Sequence, residues 1–184
     1  ARARTPPRAM VGRRSHAAEG GHGGLCARCA RGAAVAGGST TSTDMTGGIF
    51  LGVQAGLYMD GDYNIGIGYT ALAGSTTTGN NTGNHNLGIG YYSLSVVTSG
   101  TDNVSLGKYA LTNVSTGNQN IGIGHDAGTA ITTGSGNIVI GKDSGDSITD
   151  GNYNVLIGED AGQDITSGSH NLILHAGKGP ANAP

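Results

Sequence analysis

The chain has 184 residues, enough for one ordinary domain, and 36 of them are glycine. It has one Phe, no Trp, only 12% charged residues and a net charge of −2. This excludes a conventional compact core, collagen (Gly does not recur every third residue) and a charge-driven disordered chain. No apolar run is long enough to span a membrane as a helix. Ala1 in place of an initiator Met implies a processed chain or a fragment.

In chain order, the first element is an arm. All seven Arg lie between Arg2 and Arg31, opposed in residues 1–38 only by Glu19, so that stretch carries +6 and the rest −8. Residues 1–45 show no hydrophobic period and read as a basic Arg/Ala/Gly-rich arm or linker. A basic arm can bind nucleic acid, but this one has no aromatic for base stacking, so tethering to a neighbouring chain is the favoured reading and no nucleic acid is expected. Cys26 and Cys29 form a C-x-x-C with His16 and His22 upstream. Zinc ligation, a disulfide and free thiols all remain open for that pair.

From residue 46 the chain repeats itself. A degenerate copy, IFLGVQAG at 49–56, is followed by units that each open on an Asn: Asn64, Asn86, Asn103, Asn120, Asn137, Asn154 and Asn171. The first step is 22 residues, with an insertion within 75–83, and the next five are 17. Counting Asn as position one, positions two and four are aliphatic in every unit. That alternation predicts a short strand with both side chains on one face. Position five is Gly in six of seven units, position eight is Ala or Ser, position twelve is aliphatic in Val97, Val114, Ile131, Ile148 and Ile165, and position fifteen is Gly. The unit reads as two short strands and two or three turns, with positions two, four and twelve forming a thin core.

A 17-residue unit cannot bury an apolar face alone, but stacked units can share one. The predicted fold is all-β: a parallel β-solenoid of about seven to eight rungs over 46–177, closed by a C-terminal cap or tail at 178–184. The Asn column reads as a structural ladder, since Asn suits left-handed turns and its amide can bond to the next rung.

The pattern N-x-x-I-G-x-x-A-G-x-x-x-T-T-G resembles the repeats of bacteriophage and prophage tail-fibre proteins, best in NIGIGHDAGTAITTG at 120–134 and NVLIGEDAGQDITSG at 154–168. It is similar, more distantly, to the head repeats of trimeric autotransporter adhesins, whose units are shorter. The resemblance covers residues 49–177. It implies a structural or adhesive fibre protein on a virion or outside the cell, the shaft or receptor-binding part of a fibre acting in host attachment. The alternative is a subunit of a self-assembling extracellular filament with no receptor of its own. A homo-oligomer, trimer or filament, is expected, with no membrane insertion.

Tyr69, Tyr91, Tyr92 and Tyr109 read as one surface column of the earlier rungs, the column that holds Asp in the later ones, as a receptor site for a cell-surface glycan or as a contact between subunits. Asp126, Asp143 and Asp160 align at position seven, where stacked carboxylates need solvation or a cation such as calcium. Lys142 beside them favours solvation. Thr132, Thr149 and Thr166 form a rank like those of ice-binding solenoids, beside an irregular second rank. No nucleophile–base set stands out, so neither catalysis nor a cofactor is expected.

Overall fold

The structure is a computed structural model that describes residues 34–36, 46–76 and 81–175. The arm residues 1–33, with Cys26, Cys29, His16 and His22, and the tail 178–184 lie outside the described residues.

Among the described residues, nine three-residue strands form one parallel sheet in sequence order. They are β1 (Ala34–Ala36), β2 (Ile49–Leu51), β3 (Ile65–Ile67), β4 (Leu87–Ile89), β5 (Val104–Leu106), β6 (Ile121–Ile123), β7 (Ile138–Ile140), β8 (Val155–Ile157) and β9 (Leu172–Leu174). Every strand pairs in register with the same repeat position of the next, Ile121 with Ile138 and Ile123 with Ile140 for example. The chain is therefore a parallel β-solenoid with a period of about 17 residues and about seven turns between β2 and β9. The sheet also reaches into the segment read as an arm, since β1 pairs with β2.

Two expectations are corrected. Each rung carries one strand, not two; the rest of the rung is a succession of tight turns. And the strand faces the opposite way. The middle residue of each strand from β2 to β8 is buried, while its two aliphatic neighbours are half-buried or exposed. Period-two alternation identifies a face but not which side of it is inward, and here the small position three points in. Position twelve is core as expected: Val97, Val114, Ile131 and Ile148 are fully buried.

The inner space is filled by side chains from one wall or the other. Where the middle strand residue is small (Gly66, Gly88, Ser105), a fully buried Leu stands at position nine: Leu72, Leu94 and Leu111. Where it is large (Phe50, Val139, Leu156), position nine is Gly56, Gly145 or Gly162. The rung of β6 has glycine at both places, and a Cβ on Gly122 would lie 2.5 Å from Leu111 Cγ. Leu111 thus fills its neighbour's space as well as its own. Leu72, Leu94 and Leu111 have φ of 49°, 51° and 46°, the left-handed region that costs a bulky residue roughly 1–2 kcal/mol. Burial of each Leu side chain contributes about 1.5–3 kcal/mol in return. Leu111→Ala is expected to cost about 2–4 kcal/mol in chemical denaturation, because two glycines cannot close the cavity.

Candidate functional site

The columns that carry polar chemistry follow from how the rung turns. In Asn103, Asn120, Asn137 and Asn154 the amide is saturated. Asn137 Nδ2 donates to Asn120 Oδ1 at 3.1 Å and to Gly151 O at 2.8 Å. Its Oδ1 accepts from the backbone N–H and Nδ2 of Asn154, both at 3.0 Å. Two donors and two lone pairs are all used, which neither Asp nor Leu could reproduce. Asn64 and Asn86 lie in the same line, with Asn64 Oδ1 accepting from the Asn86 backbone at 2.8 Å. Asn171 closes the series, donating to Asn154 Oδ1 at 2.8 Å. Asn64, Asn86, Asn103, Asn120, Asn137 and Asn154 are buried to within 1%. The amides face their own column, and this ladder holds rungs together.

A second ladder runs two residues before each Asn. The Asp62 backbone N–H donates to Asn84 Oδ1 at 2.6 Å, Thr101 to Asn118 Oδ1 at 2.8 Å, and Ser135 to Asn152 Oδ1 at 2.8 Å. It runs in the opposite sense to the first: here a backbone reaches forward to the next rung's side chain. A third ladder uses hydroxyls at position thirteen. Ser115 donates to Thr132 O at 3.1 Å, Thr132 to Thr149 O at 3.1 Å and Thr149 to Thr166 O at 3.3 Å. Of the threonine rank, Thr132 turns its proton along the rod, while Thr149 lies 3.3 Å from both Thr166 O and Asp150 Oδ1.

The tyrosines do come together. Tyr69 and Tyr91 stack at 5.2 Å between centroids and 14° between planes, Tyr92 lies 4.8 Å from Tyr91, and Tyr109 meets Tyr91 edge-on at 5.5 Å. His125 continues the row against Tyr109 at 6.4 Å, and the Lys108 ammonium sits 5.1 Å from the Tyr109 ring centre. Partial desolvation among these rings, then Tyr109 and Tyr92 themselves, hold the Tyr91 phenol above its ordinary value. Tyr69 and Tyr91 turn part of their faces to each other, so the row offers a partner edges and phenolic oxygens as well as exposed ring face. Tyr92 and Tyr109 stand at position seven with φ of 55° and 58°, whereas Tyr69 and Tyr91 stand at position six, so the expected single column is two adjacent ones.

Asp126, Asp143 and Asp160 share position seven, at φ of 55–59°, which Asp tolerates better than most residues. His125, Asp126 and Asp143 each offer a ligand atom within 4.8 Å of the others, a set that could hold a divalent cation. Asp160 stands one rung further on. Contacts with neighbouring side chains already engage these carboxylates. His125 Nδ1 lies 2.8 Å from an Asp126 oxygen, and the Lys142 ammonium pairs with Asp143 and lies 3.8 Å from Glu159. Its hydrogen bond to Asp143, then that carboxylate's charge, raise the Lys142 pKa. The carboxylate column carries its own cation.

Comparison with protein-family models, with curated proteins and with solved structures finds no match to this chain. What the coordinates define is a class: a parallel β-solenoid repeat protein whose rungs are tied by three side-chain ladders.

Proposed function

We propose that this chain is a structural fibre segment, the shaft or adhesive part of an extracellular or virion-surface fibre, which acts as a homo-oligomer and performs no catalysis. One observation carries the reading: the polar side chains at the repeated positions are directed at the next rung. The Asn, Asx/Ser/Thr and hydroxyl columns all bond along the rod axis. A chain organised this way gains rigidity and length from every added unit. The resemblance of its repeat to tail-fibre and adhesin-head units supports the same reading. On it, the Tyr69–Tyr91–Tyr92–Tyr109 row is the surface for a glycan receptor or a neighbouring subunit, with its exposed phenolic edges as the contact.

A filament subunit without a receptor is the second reading, favoured by the strand edges that a parallel solenoid presents at its ends. Negative-stain imaging of the purified chain separates the two. Short rods of uniform length support the attachment fibre, and long polymers support the filament. Compact particles with no long axis contradict both.

A further inference from the structure

The outward side of the sheet has not yet been given a role. From β2 to β9 the first and third residues of every strand are Ile, Leu or Val, with no polar or charged side chain in either column. None of these side chains is fully buried. Leu106 is 46% exposed, Ile157 39% and Leu174 69%. Eight strands spaced about 4.8 Å apart make a stripe roughly 38 Å long and about 12 Å wide. That is on the order of 450 Å² of continuous apolar surface, where scattered single residues would need no explanation.

We infer that this stripe is a lateral interface at which a second copy of the chain packs, sheet against sheet. The inference rests on the fibre reading and names its partner surface. The first argument is what the chain itself can supply as a cover. Residues 1–33 contain Met10, Val11 and Leu25 as their only large aliphatic residues, residues 37–45 add Met45, and residues 176–184 have none. Those segments are too poor in apolar side chains to face two columns of Ile, Leu and Val. The second argument is spacing. A ladder repeating every ~4.8 Å is matched over its whole length only by another ladder of that rise, and the copy to hand is the chain itself. The third is area. Two stripes meeting bury about 900 Å², and the residues bordering them bring the total near the ~1,000 Å² at which a specific interface becomes stable. Charged groups lie outside the stripe: Lys108, Lys142 and Glu159 come two residues beyond the strand ends. An apolar centre with a polar surround is the usual anatomy of a subunit contact.

Sedimentation velocity of the full chain tests this. The wild type is expected at two or more times the 18.2 kDa of one chain. Ile123→Lys with Ile140→Lys is expected to sediment as a single chain with its β circular-dichroism signal retained, because both side chains point away from the core. If the lysine pair loses that signal, Ile123→Thr with Ile140→Thr, which keeps β-branched side chains, decides the matter by the same fall in mass. Lysine variants that stay folded and keep the wild-type mass overturn the inference. So does a wild-type monomer: one that takes up no apolar dye has covered the stripe with its own residues, and one that binds dye awaits a partner of different sequence. Rods seen by imaging with the mass per length of one chain would leave the fibre reading standing and remove this one.

Discussion

Replacing Asn137 with Leu is expected to destabilise the solenoid by about 3 kcal/mol or more, whereas replacing Asp143 with Ala should cost about 1 kcal/mol. Leucine has the same side-chain heavy-atom count and branching as asparagine, so the first change leaves no cavity; it removes the polar pairing and adds the crowding of two bulkier methyl groups at a fully buried site. Gly151 O loses its amide donor, and Asn154 loses the acceptor for both its backbone N–H and one Nδ2 proton. Each buried group left without a partner costs roughly 1–3 kcal/mol. Asp143, by contrast, pairs with a Lys142 side chain that is 56% exposed, where water replaces either member. Thermal melts of the two variants beside the wild type check the difference. If they coincide, the Asn column is not what binds the rungs.

Gly124→Ala is expected to have an effect at least as large. Gly124 has φ of +135°, and a Cβ there would stand 2.5 Å from Gly141 O and 2.7 Å from Gly141 C, both rigid backbone atoms. The backbone conformation and the close approach of the next rung each forbid a side chain. We expect loss of more than about 3 kcal/mol, or failure to fold into a cooperative unit. The contrasting change is Gly136→Asn. Gly136 also has a positive φ, 68°, but its equivalents in other rungs are Tyr63, His85, Asp102, Gln119 and Tyr153 at φ 55–58°. The nearest atoms to a new Cβ belong to the Tyr153 ring, which is exposed and can turn aside. Asparagine there should change stability by no more than about 0.5 kcal/mol, since Asn tolerates the left-handed region. Two glycines of positive φ, one replaceable and one not, distinguish local turn preference from rung-to-rung contact.

The repeat itself gives away the architecture, because Asn every 17 residues can be satisfied cheaply only by another Asn one rung away. The same regularity hides which side of the strand is inward. Ile at positions two and four looks like core by hydrophobicity, yet Gly122 between two Ile is the inward residue and Leu111 occupies the space above it. The readable signal was the compensation between positions three and nine: Gly66, Gly88 and Ser105 go with Leu, and Phe50, Val139 and Leu156 go with Gly. A position whose size is answered by another position of the same unit is one that shares a confined space with it. The second ladder was also legible in retrospect, since the residues two before each Asn are drawn from Asp, Asn, Ser and Thr alone. Those types are ordinary in turns, so their recurrence alone does not single out a ladder. Tyr69 and Tyr91 are exposed, while Tyr92, Tyr109, Asp126, Asp143 and Asp160 are half-buried. Their internal arrangement, rings against rings and Lys142 between carboxylates, depends on rotamers that a sequence pattern does not specify.

The measurement that bears most directly on the account is diffraction, by X-rays or electrons, from the oriented assembled material. Rungs stacked in register along a rod require a strong reflection near 4.8 Å parallel to the fibre axis, with the β circular-dichroism signal of the same sample. Its presence on that axis is the predicted result. Particles that give no axial reflection, or a chain with substantial helix by circular dichroism, would contradict both the stacked-rung fold and the fibre role built on it.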